Sequence, residues 1–191
     1  MTGIKNNRRT QYTRYAIEDA LITLLQQQPM EKITVTAICK AADVNRGTFY
    51  RYYLDPDDCF ETIQNNLYNQ MSANTPLFDQ QHPEIFITAL LTTFQENAPL
   101  MRALLLGNHT VMLADFMRRH QRLTDAQVNS TDHRDIYEMD FYTNGVINVC
   151  RRWLSLDMPE TPAELARIIL NIIFQVPKNI PEPREIDAPK D

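Results

Sequence analysis

The sequence predicts an all-α protein, and three observations support this. The chain of 191 residues contains only four glycines, so few tight turns are expected. Apolar residues recur at spacings of three and four along most of the chain, which is the period of a helix with one buried face. We find no run of alternating apolar and polar residues, the pattern of a half-buried strand. Hydrophobic residues make up 43% of the chain, which is enough for a globular core.

The first helix is predicted from Thr10 to Gln28. Ile17 and Leu21 begin an apolar stripe at helical spacing. Pro29 then ends the helix, because proline cannot continue the backbone hydrogen-bond pattern.

Two short helices joined by a short turn are predicted next. Thr34 is suited to cap the first of them, which is expected to carry Ile38 and Ala41 inward. Residues 43–45 form the turn, and Asn45 is suited to cap a second short helix that starts at Arg46. Two short helices connected in this way form a helix-turn-helix motif.

A longer helix is predicted from Pro56 to Met71, with Asp55 as its cap. Proline is tolerated at the first helical position, where no N–H is needed. Asp57 and Asp58 fall in the first turn, where the helix dipole favours negative charge. We therefore interpret this acidic group as a helix start and not as a metal site.

The rest of the chain is predicted to be helical as well, apart from a polar connector at 125–135 and a proline-rich tail at 177–191 that we expect to be disordered. The further helices are predicted at Pro83–Asn97, Pro99–Leu106, Val111–Thr124, Asp135–Leu156 and Pro162–Val176.

The charge distribution favours one basic end on an acidic body. The formal net charge is −5, yet residues 1–54 hold eight Lys or Arg and four Asp or Glu. The remaining residues hold eleven and twenty. Such asymmetry fits a protein that binds a polyanion with one part, although an ordinary solvated tail is the alternative.

Other classes of protein are disfavoured by the sequence. The basic N-terminus has no apolar run behind it, so we expect no signal peptide, no membrane span and a cytoplasmic location. The three cysteines form no CxxC pair and are expected to be buried reduced thiols. The histidines have no metal-binding spacing, and no glycine-rich phosphate loop or nucleophile motif occurs. We therefore predict no enzyme activity, no metal and no cofactor.

The segment 46–53 carries the strongest functional signal. Phe49 and Tyr53 are four residues apart and are expected to point inward. Gly47 has no side chain, so another surface can approach the start of this helix closely. Arginine pairs with guanine in the major groove, and hydroxyls hold phosphates. The alternative is a surface helix whose tyrosines cover the core. The side chains left facing outward are Arg46, Thr48, Tyr50, Arg51 and Tyr52.

The stretch "ITVTAICKAADVNRGTFYRYYLDPDD" resembles the helix-turn-helix of the TetR/AcrR family of transcriptional regulators, and the resemblance covers about the first seventy residues. It implies a three-helix DNA-binding domain at 8–70, followed by a helical-bundle domain at 71–176 for ligand sensing and dimerisation. Many members carry a phosphate-contacting lysine where this chain has Pro56, so we expect that backbone contact to be absent and the basic arm Lys5–Arg14 to take its place. The DNA-binding residues that the resemblance implies, with Arg46 and Arg51 for bases, are Thr34, Thr36, Asn45, Arg46, Gly47, Thr48, Tyr50, Arg51 and Tyr52.

The stretch "FYTNGVINVCRRWLSLDMPETPAELA" resembles a C-terminal domain from a Firmicutes-type branch of the same family. Its last two helices carry apolar stripes that could pair with their copies as a four-helix bundle. The alternative is a pair of helices buried in a monomer core. The predicted dimer-interface residues are Val146, Val149, Trp153, Leu165, Ile168, Ile169, Ile172 and Ile173.

A ligand pocket is predicted from methionine and aromatic residues, which adapt to varied ligands. Such residues at helical spacing are also typical of plain core. The predicted pocket residues are Phe86, Phe94, Met101, Phe116, Met117 and Tyr142.

Together these features predict a homodimeric DNA-binding transcriptional regulator, with repression as the family's usual mode. Its partners would be a palindromic operator in double-stranded DNA, a second copy of the chain, and an unidentified small-molecule effector or partner protein. The alternative hypothesis is a protein of the same fold that binds a protein partner as a co-regulator and does not contact DNA.

Overall fold

The structure is a computed structural model that describes residues 3–76, 81–106 and 133–175. Within these ranges it contains α-helices and one short 3-10 turn at Met30–Lys32, and it contains no strand. The predicted all-α fold is confirmed. The helices are α1 (Gly3–Leu25), α2 (Val35–Ala41), α3 (Arg46–Tyr50), α4 (Pro56–Asn74), α5 (Pro83–Glu96), α6 (Ala98–Leu106), α7 (His133–Ser155) and α8 (Pro162–Gln175).

The helix caps expected from the sequence are present. The Thr34 hydroxyl accepts a hydrogen bond from the backbone N–H of Ala37 at 3.2 Å. The Asn45 side chain accepts one from the N–H of Thr48 at 2.8 Å. Each cap satisfies an N–H that has no partner inside its helix. Asp43 turns the chain between α2 and α3 with a left-handed φ of 51°, which aspartate tolerates better than most residues.

Two carboxylates at the start of α4 accept hydrogen bonds from nearby backbone N–H groups. Asp55 accepts from the N–H of Asp58 at 2.8 Å, and Asp58 accepts from the N–H of Leu54 at 2.8 Å. This reciprocal pair works like a capping box and fixes the direction in which α4 leaves α3. The carboxylates are therefore used as helix caps, as the sequence predicts.

The bounds of α1 differ most from prediction. The helix begins at Gly3 instead of Thr10, because residues 4–9 contain no proline and several good helix formers. It ends at Leu25, after which the hydrogen-bond pattern of the backbone changes. The N–H of Gln27 bonds to the carbonyl of Leu24 at 3.0 Å, the i to i−3 pattern of a closing turn. The other helices agree with prediction to within three residues. The predicted helix 111–124 and the tail 177–191 lie outside the described residues.

The helices pack so that α1 and α6 join the N-terminal and C-terminal parts. Helix α1 contacts α2, α4 and α6, α5 packs along α8, and α6 packs along α7. At the contact between α1 and α6, Gln26 donates a side-chain hydrogen bond to the carbonyl of Pro99 at 3.2 Å. Among the described residues, no helix has the length and apolar character needed to span a membrane.

Helices α6 and α7 cap each other's C-terminal ends. Arg102 on α6 donates to the carbonyl of Leu154 and forms an ion pair with Asp157 at 2.7 Å. Arg151 on α7 donates to the carbonyl of Leu105 at 2.7 Å. Because the last carbonyls of a helix lack partners within it, the two arginines fasten α6 and α7 to each other.

All three cysteines are free and buried. Burial raises the pKa of Cys59 and of Cys150 to about 12, so both thiols keep their protons at neutral pH. The expectation that the cysteines are buried and unpaired is confirmed.

The structure corrects part of the predicted dimer interface. Trp153 is 2% exposed and donates from its indole N–H to the carbonyl of Glu160 at 3.0 Å. Leu165 and Ile169 are also buried within the protomer, where α8 packs along α5. Since side chains already enclosed by their own protomer offer no surface to a second copy, these three residues belong to the core.

Candidate nucleic-acid interface

Helix α3 is held from beneath by two aromatic side chains. Phe49 is fully buried and Tyr53 is 3% exposed, and both pack with Ile38 of α2 in the same core cluster. These inward positions are confirmed, whereas Ala41 of α2, which was expected to point inward, is exposed. The spacing of four residues places both rings on one face, which leaves the opposite face of α3 toward solvent.

A hydrogen bond ties the end of α3 to α1. The Tyr53 hydroxyl donates to the carboxylate of Glu18 at 2.5 Å, and Glu18 pairs with Arg14 at 3.6 Å. Burial and the bond to Glu18 raise the pKa of Tyr53 far above its ordinary value, so the phenol remains a donor. The orientation of α3 is thus set by both apolar packing and a polar contact with α1.

The solvent-facing side of α3 carries most of the predicted DNA-binding residues. Arg46, Gly47, Tyr50 and Arg51 are exposed. Tyr52 is half-buried and its ring lies 6.5 Å from that of Tyr53. The start of α2 adds the exposed Thr34 and Thr36 to the same part of the molecule.

Arg46 links the two helices of the motif. Its Nη2 donates to the hydroxyl of Tyr50 at 3.1 Å, and its Nη1 makes a long contact to the hydroxyl of Thr36 at 3.5 Å. The guanidinium carbon lies 5.7 Å from the centre of the Tyr50 ring, within the range of a cation–π contact. The sequence did not predict this cluster, because it depends on how α2 and α3 are oriented.

Asn45 and Thr48 are engaged with each other. The oxygen of the Asn45 side chain accepts both the backbone N–H of Thr48 and its hydroxyl, the latter at 3.1 Å. A threonine hydroxyl has a single hydrogen to donate. In this geometry the Thr48 hydroxyl is bonded to Asn45, and the phosphate-contacting role of Thr48 stays a prediction.

Gly47 faces open space at the start of α3. A Cβ atom added there would meet, among the described residues, Asn45 Oδ1 at 3.4 Å and nothing closer. The protein's own packing therefore does not require glycine at this position. The expectation that Gly47 allows another surface to approach closely stays a prediction.

A cleft of about 600 Å³ lies beside α3, between α1 and the turn of the motif. It is lined by Thr48 of α3, by Arg51 and Tyr52 just after α3, and from α1 by residues that include Thr10 and Tyr12. Tyr12 is 76% exposed. Thr10 and Tyr12 lie within the arm 5–14 that is expected from the sequence to replace the missing lysine contact, although neither side chain was singled out there.

A second cleft, of about 490 Å³, lies where α1 and α4 meet the corner between α5 and α6. At its edge, Asn97 donates to the side-chain oxygen of Gln70 at 3.2 Å. None of the predicted pocket residues lines this cleft.

The predicted pocket residues are divided among different environments. Phe86, Phe94 and Met101 are buried in the core, and Tyr142 is half-buried. Phe116 and Met117 lie outside the described residues. The pocket stays a prediction.

The last two helices carry several exposed apolar residues, which are candidates for contact with a second copy. Ile168 is 42% exposed and Ile172 is 55% exposed, while the predicted Val146, Val149 and Ile173 are half-buried. Sequence reasoning missed further exposed members, because it weighed only the stripes of strongest periodicity. These are Tyr137, Phe141 and Phe174.

Two family models match the chain. Residues 17–63 match the model described as "Bacterial regulatory proteins, tetR family". Residues 81–175 match the model described as "Transcriptional regulator C-terminal region". No curated protein matches the chain in sequence.

Several solved structures share the fold. A TetR transcriptional regulator from Streptococcus agalactiae 2603V has a TM-score of 0.63 at 23% identity, over 90% of this chain and 99% of that one. The dihydroxyacetone kinase operon activator DhaS has a TM-score of 0.54 at 15% identity, over 85% of this chain and 94% of its own. The fatty acid degradation regulator FadR from Bacillus halodurans has a TM-score of 0.52 at 14% identity, over 88% and 97%.

The matched regions cover both the helix-turn-helix and the C-terminal helices, and the fold agrees over nearly the whole length of the most similar of these three structures. The chain belongs to the TetR family of DNA-binding transcriptional regulators.

Proposed function

We propose that this protein is a homodimeric, cytoplasmic repressor that binds a palindromic operator through α3 and releases it when an effector binds the C-terminal helices. One observation carries the DNA-binding part. Helix α3 buries Phe49 against the core while Arg46 and Arg51 stand exposed on the outward side. A short helix can insert into a major groove when its inner face is packed on the core and its outer face carries exposed arginines.

The contacts divide into two kinds. Arg46 and Arg51 are proposed to read base edges, since arginine pairs with the O6 and N7 acceptors of guanine. Tyr52 and the α2 residues Thr34 and Thr36 are proposed to lie along the phosphates. The α1 residues at the cleft beside α3 extend the same backbone-contacting surface.

Dimerisation is proposed to occur through the exposed apolar face of α7 and α8. Ile168 and Ile172 are large apolar side chains that remain exposed in the single protomer. A twofold dimer places two recognition helices on half-sites about 34–36 Å apart, or a multiple of this, as a palindrome requires. We also propose that the DNA-binding domain ends near residue 70 and that the C-terminal domain begins there.

Effector binding is proposed to occur among the C-terminal helices, next to Thr143 of α7. Thr143 is 4% exposed and lies on the inward stripe with Ile147 and Cys150. Its hydroxyl has no hydrogen-bond partner among the described residues, a property shared with Thr75 at the end of α4. Buried hydroxyls are normally paired, so an unpaired one beside the predicted Tyr142 supports a ligand that supplies the missing partner.

Thr143→Val tests this effector site. The substitution keeps the shape of the side chain and removes the unpaired hydroxyl, so the effector-free protein should become more stable by about 1 kcal/mol. Thermal unfolding with and without the effector should show a higher melting temperature in its absence and a weaker effector-induced increase. A variant that loses stability without effector, or responds to it fully, would contradict the assignment. Thr92→Val is a control, because the Thr92 hydroxyl is already bonded to the carbonyl of Thr88 at 2.8 Å.

Selection from a pool of randomised duplexes tests the DNA-binding function. We expect the bound fraction to be enriched in an inverted repeat whose half-site centres are about 10–10.5 base pairs apart or a multiple of this. A bound fraction with the same sequence composition as the input would contradict the proposal. It would favour a co-regulator that binds a protein partner, a role consistent with the acidic start of α4 and with Pro56 in place of a lysine.

A further inference from the structure

Arg46 is restrained before any partner arrives. It lies between two hydroxyls, those of Tyr50 at 3.1 Å and of Thr36 at 3.5 Å, and its guanidinium is also near the Tyr50 ring. Arg46 and Tyr50 are four residues apart and therefore share one face of α3. Thr36 comes from the neighbouring helix α2. We call this set of three residues the Arg46 clamp.

We propose that Tyr50 and Thr36 are positioning residues that set base specificity by holding Arg46 in the orientation that reads guanine. This inference rests on the proposed function. A free arginine side chain loses considerable rotamer freedom when it is fixed against a base. A side chain that is already held loses less, so contacts within the protein translate into tighter and more selective binding.

The clamp leaves Arg46 able to bind. A guanidinium has five N–H donors, and the two hydroxyl contacts engage two of them. The three that remain are enough for a bidentate pair with a guanine. Both hydroxyls act as acceptors toward Arg46, so each keeps its own hydrogen. The Tyr50 hydroxyl can therefore hold Arg46 and still donate to a phosphate.

The clamp role differs from a phosphate contact in what it changes. A residue that only contacts phosphate contributes equally to the affinity for every DNA sequence. A residue that orients Arg46 changes the preference at the base pair that Arg46 reads and at no other. Tyr52 provides a matched control, because it is a tyrosine two residues further along whose ring packs beside Tyr53.

The test is selection from randomised duplexes with the wild-type protein, Arg46→Ala, Tyr50→Phe, Tyr52→Phe and the Arg46→Ala/Tyr50→Phe double variant. Wild type should favour guanine at one position of each half-site by about 5- to 150-fold, and Arg46→Ala should remove this preference. Tyr50→Phe keeps the ring and should lower the same preference by about 2- to 10-fold. The double variant should lose no more preference there than Arg46→Ala alone. Thr36→Val should act like Tyr50→Phe, and Thr36→Ser should retain the preference.

The possible failures are distinguishable. If Tyr50→Phe weakens binding to all sequences equally and leaves the preference intact, the clamp is wrong and the proposed function stands. The same holds if Tyr52→Phe lowers that preference as much as Tyr50→Phe does. If Arg46→Ala leaves every preference unchanged, Arg46 reads no base and the clamp is overturned with that assignment. If wild type selects no sequence, the proposed function and the clamp are overturned together.

Discussion

Phe49→Ala should destabilise the protein by about 3–5 kcal/mol, the usual effect of removing a large aromatic side chain from a core. Phe49 belongs to α3, a helix of only five residues, and its side chain is fully buried. Single domains are stable by about 5–15 kcal/mol in total, so the loss is a large share of the whole. Urea unfolding followed by circular dichroism should show the lower midpoint, and DNA binding should be lost at urea concentrations where wild type still binds.

Leu54→Ala is the matched control for Phe49→Ala. Leu54 follows directly on the same motif but is 79% exposed, so its truncation should change the unfolding free energy by no more than about 0.5 kcal/mol. Equal losses for the two variants, or an unchanged midpoint for Phe49→Ala, would mean that α3 is not anchored by Phe49 in the way the structure describes.

Ile172→Glu should convert the proposed dimer to monomers and lower the affinity for a palindromic operator by about 100-fold or more, the scale of gain that linking two binding events provides. Ile172 lies on α8, is 55% exposed and belongs to the proposed contact face. A carboxylate there would have to be buried without a partner when two copies associate, which strongly disfavours association. Sedimentation velocity should report the change of mass, and fluorescence anisotropy the change of affinity.

Ile85→Glu makes the same chemical change at a position of equal exposure on α5, outside the proposed face. It should remain dimeric and bind the operator as wild type does. If Ile172→Glu also remains dimeric, or if Ile85→Glu dissociates instead, the dimer face has been assigned to the wrong surface.

The helix-turn-helix could be predicted well because its signals are local. Thr34, Asn45 and Asp55 each cap the helix that follows, and a capping side chain acts within three residues of itself. The inward direction of Phe49 and Tyr53 likewise follows from their spacing alone. The N-terminal extension of α1 was missed because residues 4–9 carry no apolar stripe to mark a helix.

Features that depend on how helices meet could not be predicted. An amphipathic stripe does not say whether it packs inside its own protomer or against a copy, so Trp153 and Ile169 were assigned to the interface although they lie in the core. The mutual capping by Arg102 and Arg151 needs α6 and α7 to be placed side by side. The Arg46 clamp depends in the same way on the orientation of α2 against α3.

The most direct test of the central claim, sequence-specific DNA binding through α3, is fluorescence anisotropy with the DNA upstream of the protein's own gene and a scrambled duplex of equal composition, at several salt concentrations. At physiological salt we expect the upstream DNA to bind at least about 10³-fold more tightly than the scrambled duplex. The logarithm of the association constant should fall linearly with the logarithm of the salt concentration, with a slope of about −0.9 for each phosphate contacted. Arg46→Ala/Arg51→Ala should bring the two duplexes to similar affinities. Equal binding of both duplexes by the wild-type protein, or a preference that survives the loss of both arginines, would contradict the account.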